Sequence, residues 1–180
     1  SGSIDEKEIK LGTQSLVVGD EAFCTASSYA EKDGTLILST NRHCIEGYLK
    51  GTGGFVKMQV EFVTNKKIDV ETFDLERTGK DLARLHLKSE GLEAGKDYVL
   101  VPRLPKGGEL AELNDVVAIG SAAGNKWTLS KGIVSRLGCP DPTKIKDVSA
   151  SEFPPDFKCI QTDAAISGGN SGGPLFRKDG

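Results

Sequence analysis

A serine among glycines, a histidine closing one apolar run and an aspartate opening another are the residues of this chain that could do chemistry together. Ser171 lies in Ser167-Gly168-Gly169-Asn170-Ser171-Gly172-Gly173-Pro174-Leu175. Glycines tolerate positive φ and let backbone approach a reacting carbonyl closely. Backbone N–H groups beside a serine hydroxyl can hold a tetrahedral oxyanion. The hydroxyl itself is a weak nucleophile until a base takes its proton. Imidazole suits that task near neutral pH, and a carboxylate fixes the ring in the required tautomer. His43, one of two histidines, is the candidate base; it follows Leu36-Ile37-Leu38-Ser39-Thr40, where a strand gives way to a loop or a short helical turn. Asp69, Asp74, Asp81 and Asp115 are the candidate carboxylates. Asp81 is preferred because it opens Leu82-Ala83-Arg84-Leu85-His86-Leu87 and can lie half-buried against a neighbouring ring; Asp74 is the reserve. His86 alternates with the inward apolar positions and reads as a solvated strand residue.

The elements that must hold these side chains read as β. An Asp33-Gly34 turn precedes Leu36-Ile37-Leu38. From Phe55 to Val63, Val56, Met58, Val60 and Phe62 share one face, with Lys57, Gln59 and Glu61 on the other. Ala83, Leu85 and Leu87 share a face opposite Arg84 and His86. Val116 to Ile119, Gly132 to Leu137 and Ile160 to Asp163 are further strands. Asp5 to Leu11 reads as one or two helical turns, and no longer helical stripe stands out. Many short strands separated by turn signals point to antiparallel barrels or a sandwich. The polar stretch from Lys88 to Gly108 separates two strand-rich halves, with a subdomain boundary in residues 90–108.

With 180 residues, 37% hydrophobic and 27% charged, the composition is that of an ordinary globular domain. A net charge of −3, with scattered lysines and arginines, argues against nucleic acid as a partner. No apolar run approaches the ~20 residues of a membrane span. No signal peptide is visible, and Ser1-Gly2-Ser3 reads as a cloning remnant. The four cysteines fall into two local pairs, Cys24 with Cys44 and Cys139 with Cys159, each 20 positions apart. Three connectivities are open, as are four buried thiols. A zinc site is disfavoured because there is no short Cys-x-x-Cys.

The order His43, Asp81, Ser171, at intervals of 38 and 90 residues, resembles that of the trypsin-like, or chymotrypsin-fold, serine endopeptidases. Within them, the segment from Asp163 to Leu175, Asp81-Leu82-Ala83-Arg84-Leu85, Asp115-Val116-Val117-Ala118-Ile119-Gly120 and Lys131-Gly132-Ile133-Val134-Ser135 are similar to the HtrA/Deg branch. The resemblance runs from about Phe23 to Leu175.

It implies an all-β protein of two antiparallel six-stranded barrels, residues 1–97 carrying His43 and Asp81, and residues 98–180 carrying the Ser171 loop. Both form one protease domain with a cleft between them. By the same resemblance Ser171 attacks the scissile carbonyl, His43 shuttles the proton, Asp81 orients His43, and the N–H groups of Gly169 and Ser171 hold the oxyanion. Ala165 and Ile166 fall at the base of the primary specificity pocket, which therefore lacks a carboxylate for basic side chains and implies small or apolar residues before the cleaved bond. Cys24 and Cys44 resemble the bridge that many trypsin-like enzymes place beside the catalytic histidine, although HtrA relatives mostly lack it. Disulfides imply a secreted or periplasmic location. Asn170 stands where zymogen-type relatives carry an aspartate, so no proteolytic activation switch is expected. Arg42 departs from the alanine or asparagine that relatives often place beside the histidine. The expected partner is a protein or peptide substrate, with no metal or organic cofactor; oligomeric state is left open.

Two rivals stand beside this reading. Gly169-Asn170-Ser171-Gly172-Gly173 also fits the nucleophile elbow of α/β-hydrolases, but that elbow needs a helix after the serine and a later histidine. Gly172-Gly173-Pro174 starts helices poorly, and no histidine follows Ser171. The second rival is a catalytically incompetent protease-fold binding module, or a fragment completed by another chain. It arises because Gly180 follows an Asp179-Gly180 turn pair with no returning strand, so the second barrel reads as incomplete at its C-terminal end.

Overall fold

Period-two burial along short strands builds two antiparallel sheets. The computed structural model describes residues 6–102, 110–121, 126–139, 141–144, 159–165 and 171–177. Helix α1 (Glu6–Leu11) leads into β1 (Thr13–Val18), β2 (Glu21–Lys32) and β3 (Thr35–Thr40). Between β2 and β3, Asp33 (φ 51°) and Gly34 (φ 78°) both take left-handed backbone, as a two-residue hairpin with the strands' own twist requires. Helix α2 (Arg42–Thr52) follows, then β4 (Met58–Glu61), β5 (Lys67–Asp69), β6 (Thr72–Leu75) and β7 (Ala83–Lys88). The second half holds β8 (Asp115–Gly120), β9 (Thr128–Leu137), β10 (Ile160–Thr162) and β11 (Leu175–Arg177).

The first sheet runs β5-β4-β1-β2-β3-β7-β6. Its two ends are one stretch of chain. β5 pairs with β4, and β6 pairs with β7. At the crossing, the Val70 N–H bonds the Met58 carbonyl and the Glu71 N–H bonds the His86 carbonyl. Residues 67–75 thus act as a single bent strand that closes the sheet on itself, which gives the expected six-stranded circuit. Inside lie Leu16, Leu36, Leu38, Ile45, Val60, Phe62, Leu85 and Leu87, all fully buried. The second sheet runs β10-β9-β8-β11. Its core gathers Val117, Ile119 and Phe176, and α1 contributes Ile9 to it. Among the described residues no helix is long and apolar enough to cross a membrane.

Three expectations need correction. The alternation from Phe55 to Val63 yields a strand only from Met58; Phe55 is 96% exposed and Val56 is exposed too. Glu61, read as outward, is buried because it faces the second half of the molecule, where Lys126 Nζ meets it at 2.5 Å. And α2 is a full three turns, where a loop or a single turn was expected. Only Cys44 and Ile45 of its 11 residues are buried, too thin a stripe for periodicity to register. It stops at Gly53 (φ 65°), whose N–H returns to the Leu49 carbonyl, a left-handed C-terminal cap.

Hydrogen bonds join the halves. Ser15 Oγ donates to the Ser121 carbonyl (2.6 Å), and Trp127 Nε1 to the Thr13 carbonyl (2.9 Å). Thr25 Oγ1 accepts from the Ser121 N–H (2.9 Å). Ser15, Thr13, Thr25 and Ser121 are all fully buried, so each bond satisfies a group that water cannot reach.

Candidate active site

The seam between the halves is where the chemistry-bearing residues meet. His43 stands in the first turn of α2, whose early N–H groups have no partner within the helix. Asn41 occupies the capping position, yet its side chain makes no cap bond. It turns instead to Asp81, donating from Nδ2 to the Asp81 carbonyl at 2.8 Å. Asp81 supplies the missing cap: its Oδ1 accepts the His43 N–H at 2.8 Å. Its other oxygen, Oδ2, lies 2.6 Å from His43 Nδ1. One carboxylate therefore grips both the backbone and the ring of the same residue, and an anion is well placed at a helix N-terminus. With Nδ1 donating to Asp81, Nε2 keeps its lone pair and can accept a proton. Ring and carboxylate are each about half exposed, which leaves them open to a substrate.

The loop that presents Asp81 is tied down at several points. The Glu76 N–H bonds the Leu82 carbonyl, and the Leu82 N–H bonds the Lys80 carbonyl. Glu76 Oε1 accepts from the N–H groups of Arg77 and Thr78 and from the Thr78 hydroxyl. These bonds, those from Thr78 foremost, hold the Glu76 carboxyl below its ordinary range. Arg42 latches the loop to α2: Nη1 donates to the Glu76 carbonyl at 2.6 Å, while Nε pairs with Glu46 at 2.6 Å. The charge that set this chain apart beside its histidine is thus spent on positioning. Two of the other carboxylates are engaged elsewhere. Asp74 pairs with His86 Nε2 at 2.9 Å across β6 and β7, and Asp69 accepts from Gln59 Nε2 at 2.8 Å. Asp115 opens β8. His86 lies on the outward face as its alternation requires, with a partner rather than bulk water around it.

Ser171 reaches the same corner from the second half. Its carbonyl accepts the Thr25 N–H at 2.9 Å and lies 3.7 Å from Cys44 Sγ, the residue next to His43. Gly172, at φ +85°, presses against the first sheet; a Cβ there would stand 2.2 Å from both the Thr25 carbonyl oxygen and Thr40 Oγ1. Only glycine fits that approach. The start of the serine segment is pinned too. Asp163 Oδ1 accepts the Ile133 N–H (2.7 Å), and Thr162 Oγ1 donates to the Ile133 carbonyl (2.8 Å). A Cβ on Gly132 would meet the Ala164 nitrogen and Asp163 Oδ1 at 2.4 Å. Ala165 is exposed. Gly169, Ile166 and Asn170 lie outside the described residues.

Both cysteine pairs are disulfides: Cys24–Cys44 joins β2 to α2 with Cα atoms 6.2 Å apart, and Cys139–Cys159 has Cα atoms 4.6 Å apart. The bridge at Cys24–Cys44 fastens the helix that carries His43 to the strand that receives Ser171.

Residues 22–180 match the family model described as the trypsin-like peptidase domain. This chain belongs to the trypsin-like peptidase family. It is 32% identical over 143 residues to the serine protease Do-like HtrB of Bacillus subtilis (strain 168), covering 78% of this chain and 27% of that protein. It is also 32% identical over 161 residues to a probable periplasmic serine endoprotease DegP-like of Hahella chejuensis, covering 89% of this chain and 29% of that one. Among solved structures, Deg5 superposes with a TM-score of 0.65 at 24% identity, covering 96% of this chain and 77% of its own. The HtrA-type protease AlgW with tripeptide gives 0.66 at 21% identity, covering 98% and 52%. The trypsin-like domain here thus lies nearest the HtrA/Deg branch, and the chain spans less than a third of the length of these two curated relatives.

Sequence reasoning missed Asn41, Thr25, Thr40 and the Arg42–Glu76 latch. All four act on backbone carbonyls, which carry no signature in a sequence. Gly172 and Gly132 were visible as glycines, but the walls they approach were not.

Proposed function

We propose that this domain is a serine endopeptidase that hydrolyses peptide bonds through an acyl-enzyme. The observation that carries the reading is the double grip of Asp81 on His43, at the ring and at the backbone. It orients an imidazole whose free nitrogen can take a proton, next to a corner where Ser171 is held by its carbonyl. In this reading Nε2 of His43 removes the Ser171 proton as Oγ attacks the scissile carbonyl, then delivers it to the leaving amine. Asp81 stabilises the imidazolium in between. The N–H groups of Gly169 and Ser171 receive the oxyanion; one such donor is worth about 3 kcal/mol in the transition state. Ala165 and Ile166 line a pocket for a small or apolar side chain. Division at residues 97/98 gives one barrel to the His43–Asp81 pair and the other to the serine. Substrates are proteins or peptides in a secreted or periplasmic setting, in keeping with the periplasmic DegP-like relative. The non-catalytic alternative is not favoured, because a binding module has no need of an oriented imidazole.

A fluorophosphonate probe tests this. The parent chain should be labelled stoichiometrically, and Ser171→Ala and His43→Ala should not. Equal labelling of parent and Ser171→Ala would refute the assignment of the nucleophile. Cleavage of a peptide library should show small or apolar residues before the cut.

A further inference from the structure

Around His43 lies a set of atoms that the peptidase reading uses only in part. The two sulfurs of Cys24 and Cys44 and a ring nitrogen of His43 all lie within 4.8 Å of one another. They come from two elements, β2 and the first turn of α2, joined at this corner. In the oxidised chain the sulfurs are bonded to each other and offer no thiolate. Cysteines are synthesised as thiols, however, so every chain passes through a dithiol form. There the corner presents two soft thiolate donors and one imidazole, the ligand types and number that zinc takes at a site with an open fourth position. The backbone leaves room. Zn–S bonds of ~2.3 Å at a tetrahedral angle need sulfurs ~3.7 Å apart, and the two Cα atoms are separated by 6.2 Å. The sulfurs are buried while His43 is half exposed, so a metal enters over the imidazole and keeps its fourth position towards water. Asp81, 2.6 Å from the ring, adds a favourable negative charge.

We infer that the dithiol form binds one zinc ion through Cys24, His43 and Cys44, and that disulfide formation expels the metal and returns His43 to catalysis. Ligation through Nε2 takes the lone pair that would accept the Ser171 proton; ligation through Nδ1 breaks the bond to Asp81. Either way the base is lost. Release is a thiol–disulfide exchange. The two metal-bound thiolates give two electrons to a disulfide oxidant, the Cys24–Cys44 S–S bond forms, the oxidant's S–S bond breaks into two thiolates, and Zn²⁺ leaves to water. The consequence for activity rests on the proposed peptidase function; the metal site itself does not.

The test uses the whole chain with Cys139 and Cys159 replaced by alanine, so that only one dithiol is present. After reduction by a phosphine and removal of the reductant, Co²⁺ is titrated anaerobically. One equivalent should give thiolate-to-cobalt charge transfer in the near ultraviolet and the visible bands of a tetrahedral centre, both bleached by Zn²⁺. The oxidised chain, and a Cys24→Ala, Cys44→Ala variant, should give neither. His43→Ala should weaken zinc binding at least tenfold. In the reduced chain, one equivalent of zinc should cut fluorophosphonate labelling at least tenfold, and oxidised glutathione should restore labelling and release the zinc to a colorimetric indicator. No charge-transfer band, an equal band without Cys24 and Cys44, a reduced chain that unfolds without binding, or undiminished affinity in His43→Ala overturns the proposal. Failure of the oxidised chain to label, with the cobalt spectrum as expected, instead overturns the peptidase reading and leaves the metal site standing.

Discussion

Placing a methyl group on Gly172 asks whether the serine turn is held where the chemistry needs it. The added Cβ would stand 2.2 Å from the Thr25 carbonyl oxygen and from Thr40 Oγ1, and 3.1 Å from the Asn41 nitrogen. Side-chain carbons do not come within 3.0 Å of such atoms, so relief needs a movement of about 0.8 Å, and φ +85° adds ~1–2 kcal/mol of backbone strain. The strand will not be what moves. Thr25 is laddered to Ser15 in β1, and its carbonyl is also held by the Thr40 hydroxyl at 2.8 Å. The turn must retreat, taking Ser171 with it and stretching the 2.9 Å bond from Thr25 N–H beyond hydrogen-bonding range. A misplacement of about 1 Å costs roughly 10²-fold in rate, or ~2.7 kcal/mol of transition-state stabilisation. Gly172→Ala should therefore lower the second-order rate of fluorophosphonate labelling about 100-fold while the chain stays folded by circular dichroism. Gly47→Ala is the control: it lies in α2 with open space around its Cβ position, so it should leave labelling unchanged and stabilise by ~0.5–1 kcal/mol. Labelling of Gly172→Ala within threefold of the parent would refute the claim that this contact sets the position of the nucleophile.

Asp81→Asn should lower kcat by about 10⁴ with little change in KM, since an amide no longer fixes the ring tautomer; steady-state peptide hydrolysis reads both. Arg42→Ala frees the Asp81 loop from α2 and should reduce kcat/KM about tenfold, equivalent to ~1.4 kcal/mol, with Arg42→Lys recovering part of the loss. Asp97 is buried, which pushes its carboxyl up, but the Thr64 hydroxyl, Lys66 ammonium and Glu93 N–H outweigh burial and hold it at about 2, against 3.8 ordinarily. A lowered folded value contributes stability above the unfolded pKa and loses it as pH falls, so about 2 kcal/mol should disappear between roughly pH 4 and pH 2; urea unfolding of the parent and Asp97→Asn across that window should converge. Thr25→Val keeps the side-chain shape but strands the buried Ser121 N–H, and should cost ~1–3 kcal/mol in urea unfolding while changing labelling less than Gly172→Ala does.

The legible part of this protein is where side-chain type over a short stretch carries the pattern. The serine segment, the histidine after Leu36-Ile37-Leu38 and Asp81 before its strand are each local patterns, and the inward faces of β3 and β7 follow strict alternation. Where an element's role depends on a distant surface, the pattern misleads. Glu61 alternates with Val60 and Phe62 and looks outward, but the second half covers it and Lys126 meets it there. α2 buries only two side chains, so its helicity comes from the disulfide, the Asp81 cap and the Gly53 stop rather than from an apolar stripe. The closing strand at residues 67–75 is invisible as one element because its pairing partner changes at Val70.

In the proposed peptidase the seam couples stability to chemistry. Thr25 uses three groups at once: its N–H holds Ser171, its hydroxyl oxygen holds Ser121, and its carbonyl holds Thr40. Its neighbour in sequence, Cys24, is bonded to Cys44, and Cys44 is adjacent to His43. Ser171 and His43, the proposed nucleophile and base, are thus referred to the same two residues of β2, one by hydrogen bonds and one covalently. Each sheet alone would fix only one of them, and an error of 1 Å between the two would be enough to lose most of the rate. Anchoring both to adjacent positions of a strand in the closed barrel removes that error without requiring the halves to be rigid elsewhere. It also explains why the anchoring is done largely by backbone atoms: a ladder strand presents its N–H and C=O groups at fixed intervals, whereas a side chain would add rotamer freedom at the point where freedom is most damaging.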